Sequence, residues 1–249
     1  MDPAAGGLMY PLPPIKALPG DHDQANRFFE LIDAMANRRV AVVGDAGGIV
    51  DTIVALGGDV LQTLSACDAV VVSDDGSRSV TPALAQFIRQ QVAGRRRRPI
   101  PVVINARRAL LDYTGCTGCA PTETDVAQLL GVTIGDDVTL ERAGRALLQR
   151  LEMAAVLVRR SSRGLALFER DQRTVHLPIF GGVEVGEAAG DALLASWTLA
   201  LAAGASMYEA TRLANYAAGL VVLAPGAASV TTERWRGAIE ADHDLSEAH

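Results

Sequence analysis

The stretch RVAVVGD, residues 39–45, indicates the fold class of this chain. It is a short, mostly β-branched apolar run that stops at a glycine, which is typical of a buried strand in a parallel sheet. Comparable runs recur at 69–73, 101–104 and 155–158, with helix-like patterns between them. Strands that alternate with helices predict an α/β fold, in which a mostly parallel sheet carries helices on both faces. Ligands of such sheets bind beyond the carboxyl ends of the strands, so we expect a site in the loops that follow these runs.

The length and composition of the chain favour one large domain over two small ones, because 49% of its 249 residues are hydrophobic. We predict a flexible arm rich in proline and glycine over 1–22 and a single α/β domain over 23–236. The acidic stretch 237–249 is short of large apolar groups and is predicted to be a flexible tail. Within the domain, a helix is predicted near 59–66.

The net charge of the chain limits which partners it would attract. The formal net charge is −6, so no overall basic field would attract nucleic acid or a membrane surface. No stretch reaches the roughly 18 uninterrupted apolar residues that a membrane span requires. Three cysteines and no secretory signal are typical of a reducing compartment. We therefore expect a cytoplasmic protein that binds neither nucleic acid nor membrane.

A carboxylate stands near the start of a long apolar helix in VEVGEAAGDALLASWTLALAAG, residues 183–204. The first amides of a helix have no partner within it and form a natural anion site. The small residues Ala188, Ala189 and Gly190 leave that backbone open to a phosphate. The carboxylate of Asp191 could take a proton from an attacking alcohol while the amides hold the phosphate charge. An acid at the start of a helix can equally be a cap or first-turn residue that only stabilises the helix.

Several segments of the chain resemble those of the ribokinase-like (PfkB) carbohydrate kinases. The segments are AVVVSDDGSRSVTPAL (69–84), VVINARRALLDYTGCTGCAPTETDVAQLLG (102–131), AVLVRRSSRGLALFERDQRTVHLP (155–178) and VGEAAGDALLASWTLALAAGASMYEATRLANYAAGLVV (185–222). They occur in the family's order, and the likeness is greatest to the kinase domain of the heptose-7-phosphate kinases. The resemblance implies a ribokinase-like three-layer sandwich that transfers phosphate from ATP, with Mg²⁺, to a hydroxyl of a sugar or sugar phosphate.

The resemblance also implies roles for individual residues. Asp191 would be the general base. The other implied positions are an anion hole at Ala188, Ala189 and Gly190, nucleotide contacts at Arg160, Ser161, Gly164, Asn215, Gly219 and Gly226, substrate contacts at Asp45, Asp51 and Asp74, and a weak Mg²⁺ position, through water, at Asp125. For Asp51, a place on a helix face or at a cap is the alternative interpretation.

The chain departs from the family pattern at several of these positions. The family's loop Asp-Thr/Val-x-Gly-Ala-Gly-Asp has Val185 in place of its first acid and Ala188 in place of its first glycine. In the nucleotide loop, Arg159 and Ser161 replace a threonine and a glycine. Only 27 residues, 46–72, lie where the family carries a β-lid over its sugar, so we expect that lid to be reduced or absent.

Three functions therefore stay open at the level of sequence. The first is an ATP-dependent kinase of a sugar or sugar phosphate, with a heptose phosphate among the acceptors. The second is a catalytically degenerate pseudokinase that binds a nucleotide or a protein partner. The third is a structural subunit that pairs through an exposed sheet edge. The expected partners are a nucleotide and a small sugar or sugar phosphate, and a homodimer is an open possibility.

Overall fold

A computed structural model of the chain describes residues 22–56, 58–61, 64, 66–76, 80–93, 99–106, 109–181, 187–223 and 230–247. The α-helices of this part are α1 (His22–Met35), α2 (Gly47–Ala55), α3 (Pro82–Val92), α4 (Glu123–Leu130), α5 (Asp137–Leu151), α6 (Glu187–Ala203), α7 (Met207–Leu223) and α8 (Thr232–Glu247). The strands are β1 (Arg39–Gly44), β2 (Asp59–Leu61), β3 (Ala69–Asp74), β4 (Val102–Ala106), β5 (Gly118–Cys119), β6 (Ala155–Arg159), β7 (Leu165–Glu169) and β8 (Val175–Leu177).

All eight strands form one sheet in the order β2-β1-β3-β4-β5-β6-β7-β8. The strands from β2 to β6 pair in parallel, and β7 and β8 are added antiparallel at one edge. This arrangement confirms the predicted mostly parallel sheet. Parallel pairing brings the carboxyl ends of β1, β3, β4 and β6 to the same end of the sheet, although the strands are far apart in the chain.

Helices cover both faces of the sheet and enclose two apolar cores. Successive strand residues point to opposite faces, so Val71 joins one core and Val70 the other. Helices α1, α2, α6, α7 and α8 pack on the first face, and α3, α4 and α5 pack on the second. The predicted three-layer sandwich is therefore confirmed.

Helix α6 lies between the sheet and α7, which explains why its sequence is apolar on every side. Its two hydroxyl residues are fully buried and bond within the helix, Ser196 to the carbonyl of Ala192 at 2.6 Å and Thr198 to that of Leu194 at 2.7 Å. Trp197 packs against β5, where a Cβ on Gly118 would lie 2.6 Å from its ring. These contacts fix α6 against the sheet beside the carboxyl ends of the strands.

The structure differs from the sequence-based prediction in three elements. The helix predicted near 59–66 is wrong at its start, because 59–61 form β2, which pairs with β1. The two residues of β5 were not predicted, since so short a strand shows no periodicity. The predicted start of a flexible tail at 237 is also wrong: α8 continues to Glu247 and buries Ala238, Ile239 and Asp242. An apolar stripe with helical spacing keeps this acidic segment in the fold.

The stretch between β1 and β3 is the place where the sequence predicts a reduced or absent lid. Its described residues contain α2 and the short β2, and β2 is part of the main sheet. The predicted arm over 1–22 lies outside the described residues, apart from His22 at the start of α1. None of the helices in the described ranges combines the length and apolar character that a membrane span requires.

Candidate functional site

A cleft of about 430 Å³ lies at the carboxyl ends of the parallel strands, beside the first turns of α6. This is the end of the sheet at which the alternation of strands and helices predicts a ligand site. Its lining includes the polar or charged residues Asp45, Ser73, Asp74, Asp75, Asn105, Arg159 and Asp191, together with Gly190. They come from the ends of β1, β3, β4 and β6 and from α6, so the sheet topology brings them together.

Asp191 lines the cleft and is partly buried. Helix α6 begins at Glu187, so Asp191 lies one turn inside the helix and is neither its cap nor a first-turn acid. The amides of residues 187–189 have no acceptor within the helix, and two of them, those of Ala188 and Ala189, belong to the predicted anion hole. Within it, Ala189 is buried, Ala188 is exposed and Gly190 lines the cleft.

Helix α2 approaches the carboxylate of Asp191 through a glycine that the sequence analysis did not identify. A Cβ on Gly48 would lie 2.2 Å from Oδ2 of Asp191, which is closer than a real Cβ atom comes to an atom to which it is not bonded. A side chain at this position would therefore have to move the carboxylate. The glycine-rich stretch GDAGG, residues 44–48, is the sequence signal that could have indicated this close approach.

Arg159 is the last residue of β6, and its guanidinium lines the cleft. Its Nε donates to the carbonyl oxygen of Ala120 at 2.9 Å, which helps to orient the guanidinium. A Cβ on Gly190 would lie 2.1 Å from Nη1 of Arg159. The absence of a side chain at Gly190 thus makes room for a cationic group beside the start of α6.

Two of the three predicted substrate-binding aspartates, Asp45 and Asp74, line the cleft. Asp51 does not: it is exposed on α2 and is absent from the cleft lining. The carboxylate of Asp74 accepts hydrogen bonds from the hydroxyl of Tyr113 at 2.7 Å and from the amide of Gly76 at 2.9 Å. Burial, with this bond to Asp74, raises the pKa of Tyr113, so its hydroxyl stays a donor at neutral pH.

Ser73 and Asn105 connect neighbouring strands at the floor of the cleft. The amide nitrogen of Asn105 donates to Oγ of Ser73 at 3.2 Å, and the Ser73 hydroxyl donates to the carbonyl oxygen of Asp45. These side chains come from β3 and β4, which are adjacent in the sheet. Neither residue was predicted as a site residue. Their position at the end of an apolar run was the only signal available.

The predicted nucleotide-binding residues after β6 lie outside the cleft lining. Arg160, the residue after β6, is buried and faces α4 and α5, which pack on the side of the sheet opposite α6. Its guanidinium pairs with Glu123 at 3.1 Å and with Asp137 at 2.6 Å, and so connects β6 to α4 and α5. Ser161 and Gly164 adopt positive φ angles of 50° and 87° in the turn that leads into β7.

Two further predicted nucleotide-binding residues on α7 hold the segment that follows β8. The Asn215 side chain accepts from the amide of Phe180 at 3.2 Å and donates to the carbonyl of Pro178 at 2.8 Å. A Cβ on Gly219 would lie 2.4 Å from the carbonyl oxygen of Phe180. The described contacts of both residues are therefore structural, and neither residue lines the cleft. Gly226 lies outside the described residues.

The predicted Mg²⁺ position, Asp125, also lies away from the cleft lining. Its Oδ2 accepts from the amide of Thr122 at 2.8 Å and from the Thr122 hydroxyl at 2.6 Å, which completes a capping box at the start of α4. Within the described part of the chain, no group of three His, Cys, Asp or Glu side chains is arranged to hold a metal ion. The carboxylates that do line the cleft belong to Asp45, Asp74, Asp75 and Asp191.

Comparison with known proteins shows that this chain is similar to carbohydrate kinases. A family model described as pfkB family carbohydrate kinase matches residues 54–234. The bifunctional protein HldE of Geobacter metallireducens is 34% identical over 184 residues, which are 73% of this chain and 37% of that protein. HldE of Caulobacter sp. strain K31 is 37% identical over 180 residues, 71% of this chain and 36% of that protein. The chain thus spans a little over a third of the length of these curated relatives.

Solved structures resemble the whole described fold. Ribokinase from Arabidopsis thaliana, complexed with ribose and ATP, matches with a TM-score of 0.58 and 18% identity, over 90% of this chain and 86% of that one. Phosphofructokinase-2 from Escherichia coli, in complex with fructose-6-phosphate, matches with a TM-score of 0.62 and 14% identity, over 88% and 86%. At these identities the similarity shows a common fold.

Proposed function

This chain belongs to the pfkB family of carbohydrate kinases, and from that premise we propose that its cleft transfers the terminal phosphoryl group of ATP to a hydroxyl of a sugar or sugar phosphate. The observation that carries the proposal is the position of Asp191, which lines the cleft at the start of α6 beside Gly190. The carboxylate thus lies in the cleft next to the first turn of a helix, whose amides have no acceptor within it. These are the two kinds of group that transfer to an alcohol requires.

Asp191 is the general base in this proposal. As the oxygen of the acceptor hydroxyl bonds to the terminal phosphorus of ATP, its proton passes to the carboxylate of Asp191. The bond between that phosphorus and the oxygen that bridges it to ADP breaks, and ADP leaves with the electron pair. The amides at the start of α6 hold the negative charge on the phosphoryl oxygens, since their N–H groups have no partner within the helix.

The residues of the cleft fit the phosphate end of ATP. Gly190 has no Cβ, and the cationic Arg159 lies against it. Mg²⁺ binds proteins through one or two carboxylates together with substrate phosphates, and Asp75 would offer one such hard oxygen ligand at the cleft. Bound Mg²⁺ would neutralise charge on the phosphates of the nucleotide.

The proposed acceptor is a phosphorylated sugar of the heptose phosphate class. The likeness of 154–222 to the heptose-7-phosphate kinases supports this class, as does the similarity to HldE proteins. The groups proposed to bind the acceptor are Asp45 and Asp74. Both are far from Asp191 in sequence, but they line the same cleft. Carboxylates of this kind accept hydrogen bonds from sugar hydroxyls.

The test is turnover of ATP by purified protein with Mg²⁺ and a panel of sugars and sugar phosphates that includes heptose 7-phosphate. Product formation is followed by ³¹P NMR, which separates transfer to a sugar from hydrolysis. Asp191→Asn keeps the size of the side chain but removes the base, so we expect kcat to fall by at least about 100-fold. Asp171→Asn is the control, because Asp171 is exposed in the turn between β7 and β8.

Two outcomes would replace this function with another. Full activity of Asp191→Asn would show that Asp191 is not the base. Absence of phosphoryl transfer to every acceptor, together with a rise in melting temperature on addition of MgATP, would identify a pseudokinase, because a ligand that binds only the folded state stabilises it. Absence of both responses would favour the structural subunit.

A further inference from the structure

Arg159 is a charged residue of the cleft to which the catalytic scheme above assigns no step. The cleft is otherwise acidic, because Asp45, Asp74, Asp75 and Asp191 all line it. Among the described lining residues, Arg159 carries the one basic side chain. A phosphate entering this space would be repelled by every carboxylate at close range. The position of this cation therefore influences where a phosphate can bind in the cleft.

The backbone around Arg159 fixes where its guanidinium lies. The amide of Arg159 donates to the carbonyl of Pro121 at 2.9 Å, and its Nε donates to the carbonyl of Ala120 at 2.9 Å. Both acceptors belong to the segment that follows β5. This short segment therefore holds the main chain and the side chain of Arg159. Strand alternation directs Arg159 to the α6 face of the sheet, whereas Arg160 pairs with acids on the other face.

The guanidinium also lies directly against the start of α6. Nη1 of Arg159 is 2.1 Å from the point where a Cβ of Gly190 would be, so only a glycine allows this approach. The same region supplies the first amides of the helix and the carboxylate of Asp191. A cation, a carboxylate and the first turn of a helix thus lie together at one part of the cleft.

We propose that the guanidinium of Arg159 binds the phosphoryl group while it is transferred. It would thereby supply charge stabilisation in an anion hole in which Ala188 replaces the first glycine of the family's loop. The proposal rests on the proposed function and deepens it. A guanidinium presents several N–H donors in a rigid plane and matches the oxygens of a phosphate. The contact strengthens the binding of ATP over ADP, since ADP has no terminal phosphoryl group in this position.

The test compares the affinities of the non-hydrolysable ATP analogue AMP-PNP and of ADP, each with Mg²⁺, by isothermal titration calorimetry. In Arg159→Ala we expect the affinity for AMP-PNP to fall about 10- to 100-fold, the range for one charge-assisted hydrogen bond, and that for ADP to change less than about twofold. Arg150→Ala removes an exposed arginine of α5 and serves as the matched control. It should leave both affinities unchanged.

A second variant and a rescue experiment separate this role from a structural one. Gly190→Ala keeps Arg159 but places a methyl group where Nη1 lies, so it should weaken AMP-PNP in the same selective way. Guanidinium ion added to Arg159→Ala should restore part of the lost kcat. Arg159→Lys restores the charge without the planar array of donors, so it should recover less than half of the lost affinity for AMP-PNP.

The outcomes distinguish this proposal from the proposed function. Equal weakening of AMP-PNP and ADP in Arg159→Ala, or no weakening of either, overturns the role of Arg159, even if the wild-type protein phosphorylates sugars. Selective weakening of AMP-PNP supports it, even if no acceptor in the panel is phosphorylated. Should Arg159→Ala fail to fold, the same comparison in Gly190→Ala decides, and unchanged selectivity there overturns the proposal.

Discussion

Gly48 determines where the carboxylate of Asp191 can lie. The nearest atom to a Cβ at Gly48 would be Oδ2 of Asp191 at 2.2 Å, and that atom is at the mobile end of a short side chain. Gly48→Ala therefore displaces the carboxylate more easily than it disturbs the backbone. We expect kcat to fall about 100-fold, because a misplacement of about 1 Å has costs of that order, while the melting temperature stays within a few degrees.

Steady-state kinetics and thermal unfolding of the same preparations check this expectation. Gly135→Ala is the control, since a Cβ at Gly135 would meet no atom within 4 Å. Unchanged kcat in Gly48→Ala would mean that the position of the Asp191 carboxylate does not limit the reaction.

The sequence indicates which end of the sheet a residue reaches where a strand end determines its position. Asp45 follows β1 and Asp74 ends β3, and both line the cleft, while their role in binding substrate stays a prediction. Asp125 and Arg160 are of suitable chemical types, yet their described partners are a helix cap and an ion-pair cluster. A linear motif gives the residue type but not the partner that the fold provides. The importance of Arg159 could not be read from its neighbours in sequence, because it depends on contact with Gly190, 31 positions later.

At the scale of elements, the contact between α5 and β7 depends on a glycine inside a helix. A Cβ on Gly144 would lie 2.2 Å from Cζ of Phe168, a fully buried ring. The ring has no room to retreat, so we expect Gly144→Ala to lower the free energy of unfolding by about 1–3 kcal/mol through overpacking. Urea denaturation with circular dichroism measures the change.

Gly237→Ala in α8 is the matched control for this substitution. Gly237 is exposed, and a Cβ there would meet nothing within 4 Å. The same chemical change should therefore raise the free energy of unfolding by about 0.5–1 kcal/mol, since alanine favours helix. A gain of stability in both variants would contradict the packing described between α5 and β7.

Elements with β-branched apolar runs were predicted from the sequence, as β1, β3 and β6 illustrate. Short elements were not, because β2 and β5 have three and two residues and owe their existence to pairing with a neighbour. The end of α8 was missed for a related reason. Its charged residues suggest a solvated tail, but Trp235, Ala238 and Ile239 recur at helical spacing and are buried against α1 and α7.

At the scale of the whole molecule, the sheet order creates the cleft. Strands β1, β3, β4 and β6 lie within one run of the sheet, and their carboxyl ends bring Asp45, Asp74, Asn105 and Arg159 to the start of α6. The alternation of strands and helices was sufficient to predict the fold class and the end of the sheet at which the cleft lies. It could not predict which face each side chain would reach, because that depends on where each strand ends.

The most direct test of this account is the crystal structure of Asp191→Asn with AMP-PNP and Mg²⁺, in which loss of the base leaves the site otherwise intact. We expect the terminal phosphorus in the cleft, with its oxygens within hydrogen-bonding distance of a first-turn amide of α6 and of the guanidinium of Arg159. A triphosphate bound elsewhere on the molecule, or one directed away from the start of α6, would contradict the assignment of this cleft as the site of phosphoryl transfer.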